Sequence, residues 1–153
     1  NQNWNTIFSQ NRREGFGDEV RKRIMLGTYT LSAGYFDKYY LKAQQIRTLI
    51  KRDFDKTFNK FDILLSPSMT ILPFAIGEKI NDKLALYMCD INTVPANLAG
   101  IPAISIPCGL SSGLPIGIQI MAPPFREDLL FSTGNLIEEN VKIDKNMGKF
   151  THV

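Results

Sequence analysis

The chain has 153 residues, 44% of them hydrophobic and 22% charged, with a formal net charge of +3. That is enough for one domain with a real core, or for part of a larger one, with the composition of an ordinary globular protein. Basic residues interleave with acids, as in KRDFDK (Lys51–Lys56), which reads as a solvated helix face more than as a basic stripe for gripping nucleic acid. Residues 1–17 are polar and turn-rich and read as a loop. Asp18 is placed to cap a helix starting near Glu19, with Val20, Ile24, Gly27 and Leu31 recurring on one stripe. Gly34 punctuates. Phe36, Tyr39, Tyr40, Ala43, Ile46, Ile50, Phe54 and Phe58 then step by three and four, which predicts an amphipathic helix of about six turns ending near Asn59.

FDILLSP (Phe61–Pro67) is a short apolar run closed by proline and predicts a buried strand. Residues 68–83 read as irregular. Short helices are predicted over Leu84–Met88 and over Val94–Ala99, the second ended by Gly100. PAISIPCG and LPIGIQI are two β-rich runs joined by LSSG, hence adjacent strands. Asp128 is placed to cap a last helix over Leu129–Glu139, which Gly134 weakens, and the tail from 141 to 153 reads as frayed. This order implies a layered α/β arrangement. Three short strands are little sheet for an independent domain and suggest a portion of a larger layer structure.

Much familiar chemistry is missing. Cys89 and Cys108 lie far apart without a CxxC, which argues against a disulfide framework or zinc ribbon. The one histidine, His152, stands next to the last residue, so neither a His-based triad nor a histidine metal site is expected. With no spaced acidic cluster, the expected metal set is empty. No phosphate-cradling glycine motif and no GxSxG elbow occurs. The cysteines read as small core residues and Ser105 as a structural strand residue. No apolar run approaches the roughly 18 residues of a membrane span and no signal-peptide pattern opens the chain, so the expectation is a cytoplasmic protein without a membrane partner.

Two charged residues stand out. Between Lys83 and Arg126 the only charge is Asp90. In DINT, just before VPANLAG, it suits a helix cap or turn. It equally suits a ligand contact, because a carboxylate in a charge-poor setting needs a partner to stay ionised. Arg23, in EVRKRIML, lies beside the Val20–Ile24–Gly27–Leu31 stripe, three after Val20 and four before Gly27. It reads either as an exposed or snorkelling helix arginine or as an inward guanidinium suited to clamping a carboxylate. One cation and one lone anion would match the two ends of a free amino acid.

REGFGDEVRKRIMLGTYTLSAGYFDKYYLKAQQIRTLI resembles the C-terminal part of the A subunits of glutamyl-tRNA(Gln) amidotransferases, within the amidase signature family. DILLSPS, LYMCDINTVPANLAGIPAISIPCG and LPIGIQIMAPPF continue the likeness in order; the last blocks are shared across many amidases. The resemblance implies the C-terminal portion of a layered α/β/α fold with a mixed central sheet. It implies hydrolysis of glutamine, with ammonia passed to a B subunit that uses ATP and magnesium to amidate Glu-tRNA(Gln), and a small C subunit strapping the two together. Arg23 matches the family arginine that binds the glutamine α-carboxylate, and Asp90 the acid that binds its α-ammonium. The family's Ser–cis-Ser–Lys triad belongs to an N-terminal Gly/Ser-rich part with no counterpart here. GLSSG (Gly109–Gly113) is too short and falls in the hairpin loop, so no catalytic residue and no cofactor is expected in this chain. The chain, which starts at Asn1 and not at Met, thus reads over 1–153 as a C-terminal segment of an amidase domain, inactive alone. Beside this stand two other readings: an amidase of another small amide, and a non-catalytic interaction module.

Overall fold

The computed structural model describes residues 3–78 and 82–141 and divides into two units between Ile46 and Arg47. The first corrects the expected N-terminal loop: Trp4–Gly15 is a helix, α1. Asn3 caps it, its side chain accepting from the Asn5 N–H at 3.5 Å. Arg12 and Arg13 sit in its last turn, where cations complement the helix dipole. Trp4 and Phe8, one turn apart, bring their rings to 5.9 Å.

Helix α2 spans Asp18–Thr30, with Gly17 rather than Asp18 at the N-cap. Asp18 instead pairs with Arg21. Val20, Ile24 and Leu31 stay exposed. Gly34 has φ +84°, a left-handed conformation that glycine adopts without steric cost. The predicted long helix is present but begins as a π-helical turn, Phe36–Leu41, before α3 at Lys42–Phe58. Tyr29 and Tyr35 close to 4.3 Å, and the hydrogen bond between them pushes the Tyr29 hydroxyl pKa up.

In the second unit, strands β1 (Leu64–Pro67), β2 (Ala103–Ser111) and β3 (Leu114–Met121) form an antiparallel sheet ordered β1-β3-β2. The turn at Ser112 and Gly113 has φ values of 52° and 78°, the double left-handed geometry of a tight two-residue hairpin. Between Pro107 and Gly109 the register slips and Cys108 becomes the bulged residue. Helices α4 (Lys83–Cys89) and α5 (Val94–Ala99) fall where predicted, and Gly100, at φ +71°, ends α5.

Alternation along the strands makes two unlike faces. Ile104, Ile106, Ile118 and Ile120 pack with Leu129, Leu130 and Ile137 of helix α6, Glu127–Asn140. On the other face Leu64 and Met121 pack with Ala96 and Ala99 of α5 and with Ile50, Phe54 and Phe58 of α3. Helices therefore cover both faces, and the layered α/β expectation holds. Toward the other end this second face turns polar. The Ser68 and Ser105 hydroxyls meet at 2.5 Å across β3, over Gly117. A Cβ on Gly117 would stand 2.9 Å from the Ser68 Oγ and 3.1 Å from the Ser105 Oγ.

Asp128 does not cap α6. Arg126, at the N-cap, grips it with two bonds of 2.9 and 3.0 Å. The Arg126 hydrogen bond holds the Asp128 carboxyl below its ordinary value of 3.8. The predicted frayed tail lies, from residue 142 on, outside the described residues.

Gly117→Ala is expected to break the Ser68–Ser105 bond and lower stability by about 1–3 kcal/mol, the usual cost of overpacking; urea unfolding of wild type and variant measures it. Because Asp128 titrates low when folded, its pairing stabilises above its unfolded pKa and is lost as pH falls through the folded one. Arg126→Ala should raise the Asp128 midpoint in an NMR titration, and an unmoved midpoint would refute the pairing.

Candidate functional site

Helix α4 stops at Cys89 because Asp90 leaves the helical run, at φ −92° and ψ 3°. The Asp90 backbone performs the capping work. Its N–H donates to the Tyr87 carbonyl at 3.2 Å, and its carbonyl accepts from the Thr93 and Val94 N–H groups, both at 3.0 Å. The Thr93 hydroxyl adds a bond to the same carbonyl at 3.1 Å. The turn-former reading is thus satisfied by main-chain atoms. The side chain is left over: it is exposed, and among the described residues nothing bonds to its carboxylate.

The turn that carries Asp90 is tied to the sheet. The Asn92 Nδ2 donates to the Pro67 carbonyl at 2.9 Å, at the end of β1. Gln119, in β3 and only 3% exposed, donates from its Nε2 to the Asn92 carbonyl at 3.0 Å and to the Ser66 Oγ at 3.1 Å. The Thr70 hydroxyl donates to the Met88 carbonyl at 3.0 Å, fixing the last turn of α4. Gln119 and Asn92 escaped sequence reasoning. The available signal was a glutamine alternating with isoleucines in IGIQI, on the opposite face from them.

The Ser105 hydroxyl meets a second hydroxyl, that of Ser68. The pair borders a cavity of about 620 Å³ walled mainly by apolar side chains, among them Leu65, Ile71, Leu72 and Ile116. Cys108 lies on its wall, whereas Cys89 is buried, its thiol donating to the Ala85 carbonyl at 3.2 Å. A second cavity, of about 390 Å³, is bordered by Thr93, Asn97, Ser105 and Gln119. Neither is lined by Asp90 or Arg23.

Arg23 belongs to the first unit and Asp90 to the second. The Arg23 side chain is 65% exposed on α2, and its Nε donates to the Glu19 Oε1 at 3.0 Å. An exposed pair of this spacing is held by only about 0.3–0.5 kcal/mol, so a ligand carboxylate could replace Glu19 at small cost. A Cβ added at Gly27, one turn on, would meet nothing within 4 Å, so the helix surface beside Arg23 is open. Among the described residues no three His, Cys, Asp or Glu side chains gather to hold a metal, and no helix is long and apolar enough to cross a membrane.

Comparison with known proteins adds a family. The chain is 57% identical over 139 residues to the A subunit of the Methanosarcina mazei glutamyl-tRNA(Gln) amidotransferase, covering 91% of this chain and 29% of that one. The crystal structure of the Thermotoga maritima A subunit superposes with a TM-score of 0.68 at 43% identity, covering 91% of this chain and 30% of that one. The structure of a 6-aminohexanoate cyclic dimer hydrolase superposes with a TM-score of 0.55 at 27% identity, over 74% of this chain and 26% of that one. The chain thus spans less than a third of the length of each of these relatives. The family model described as Amidase matches residues 1–131, and the chain belongs to the amidase family.

Proposed function

We propose that this chain is the C-terminal segment of the glutamine-hydrolysing A subunit of a tRNA-dependent amidotransferase. In this reading the assembly converts Glu-tRNA(Gln) to Gln-tRNA(Gln). The observation that carries the reading is a difference in likeness within one family: 43% identity to an A subunit of known structure, against 27% to a hydrolase of another amide. The segment supplies part of the glutamine pocket. Arg23 receives the α-carboxylate, through a planar fork that can exchange Glu19 for the ligand. Asp90 receives the α-ammonium, with a carboxylate that no described residue occupies. The nucleophile and its activating groups lie in the N-terminal part of the complete protein. ATP and magnesium belong to the B subunit, the C subunit holds the two together, and the assembly works in the cytoplasm. The large apolar side chains left on the surface, such as Trp4, Met25, Leu84 and Phe131, suit a segment that lies against more protein.

The test is kinetic. In the complete assembly, Arg23→Ala or Asp90→Ala should each lower kcat/KM for glutamine by about 2–5 kcal/mol, the usual penalty for stripping one partner from a charged contact. An unchanged kcat/KM for either refutes the clamp, and equal use of glutamine and a simple aliphatic amide would make this an amidase of another class. The isolated chain should release no ammonia from glutamine; measurable release would place a nucleophile within it.

A further inference from the structure

We propose that Gln119, acting through Asn92, is a positioning residue that sets the Asp90 carboxylate for the α-ammonium of the substrate; this rests on the reading of Asp90 given above. Asp90 and Asn92 share one tight turn between α4 and α5. That turn has two ties to the sheet at Asn92: its side-chain Nδ2 bonds the Pro67 carbonyl, and its main-chain carbonyl accepts from the Gln119 Nε2. The Asn92 carbonyl oxygen can only accept, which fixes the nitrogen end of the Gln119 amide toward the turn. The remaining N–H of that nitrogen is engaged by the Ser66 Oγ, on the neighbouring strand β1. A buried amide with both N–H groups committed, sitting where β1 and β3 pair at Ser66 and Gln119, is held rigidly. Its distance from the carboxylate is one turn, and the Asp90 carbonyl is itself locked by Thr93 and Val94. What remains free at Asp90 is rotation of its own side chain. Gln119 touches no substrate in this account. It converts the register of a central strand into the place of one charged group.

The consequence is selective. Loosening the turn moves a group that matters only to a substrate carrying an α-ammonium, and a displacement of about 1 Å is enough to cost roughly a hundredfold. The experiment compares glutamine with an aliphatic amide lacking that ammonium, in the complete assembly, for Gln119→Met, Asn92→Ala and Asp90→Asn. Methionine keeps the length of Gln119 and removes both donors. The expected result is a rise of about tenfold or more in the KM for glutamine in Gln119→Met and Asn92→Ala, with the selectivity ratio between the two substrates falling as it does in Asp90→Asn. If Gln119→Met does not assemble, Ser66→Ala decides in its place, since it removes the acceptor of the other Gln119 N–H at a half-buried position: a selectivity ratio that falls as in Asp90→Asn supports the positioning role and an unchanged ratio overturns it. An Asp90→Asn that loses selectivity beside an Asn92→Ala and Gln119→Met that lower both substrates equally overturns the positioning role and leaves the clamp standing. An Asp90→Asn that keeps the ratio overturns the clamp, and the positioning role with it.

Discussion

The last residues of β3 have no water on either side, and the second unit is arranged around that constraint. Gln119, Ile120 and Met121 are all buried, and Ile120 has no exposed surface. A strand hydrogen-bonded along both edges has its backbone satisfied, so only its side chains remain to be covered. Alternation sends Ile118 and Ile120 toward α6, and Gln119 and Met121 toward α5 and α3. A slip of one residue would drive the glutamine into the isoleucine layer and expose Ile120. The tight Ser112–Gly113 turn sets the β2–β3 pairing locally, and the one register irregularity falls farther along, at Cys108. The register is therefore pinned at both ends: by turn geometry at one and by burial at the other.

This explains which parts were legible in the sequence. The helices α3 and α5 and the β2–β3 hairpin announce themselves through local signals: apolar steps of three and four, a glycine after an apolar run, alternation around LSSG. Residues 1–17 carried comparable signals, an asparagine cap at Asn3, the Trp4–Phe8 pair and a basic last turn at Arg12 and Arg13. The polar composition of the same residues also suits a loop. The helix forms because caps and charge placement act on the backbone whatever the mean hydropathy. Asp18 and Asp128 failed as caps for one shared reason. Each lies inside its helix, after an N-cap at Gly17 or Arg126, and pairs with an arginine within three residues.

The candidate site divides in the same way. That Asp90 was unusual could be read from the absence of other charge around it. Main chain and side chain play separate parts there, since the backbone makes the turn and leaves the carboxylate over. Arg23 was legible as a position on a stripe, but its Glu19 partner was the more local fact, four residues away on the same helix. The alternation in IGIQI puts Gln119 on the face opposite the isoleucines, but its partners depend on the strand register. Its importance lies in facing Ser66 on one side and Asn92 on another, contacts 53 and 27 residues apart in the chain.

If Asp90 binds an ammonium as proposed, its place as the only charge between Lys83 and Arg126 has a chemical logic of its own. Where nothing else is charged, an ammonium is drawn to a single place, and the sparse competing field makes that contact discriminating rather than merely attractive. Discrimination of this kind needs the anion to be placed, because a mobile carboxylate follows whatever ligand arrives. Under the proposed clamp, the buried hydrogen bonds of Gln119 would meet that need without adding charge. Their donor is a neutral amide, so the turn is held without a cation that would compete for Asp90. A lysine or arginine in the same place would tie the turn as firmly and would neutralise the group it was meant to present.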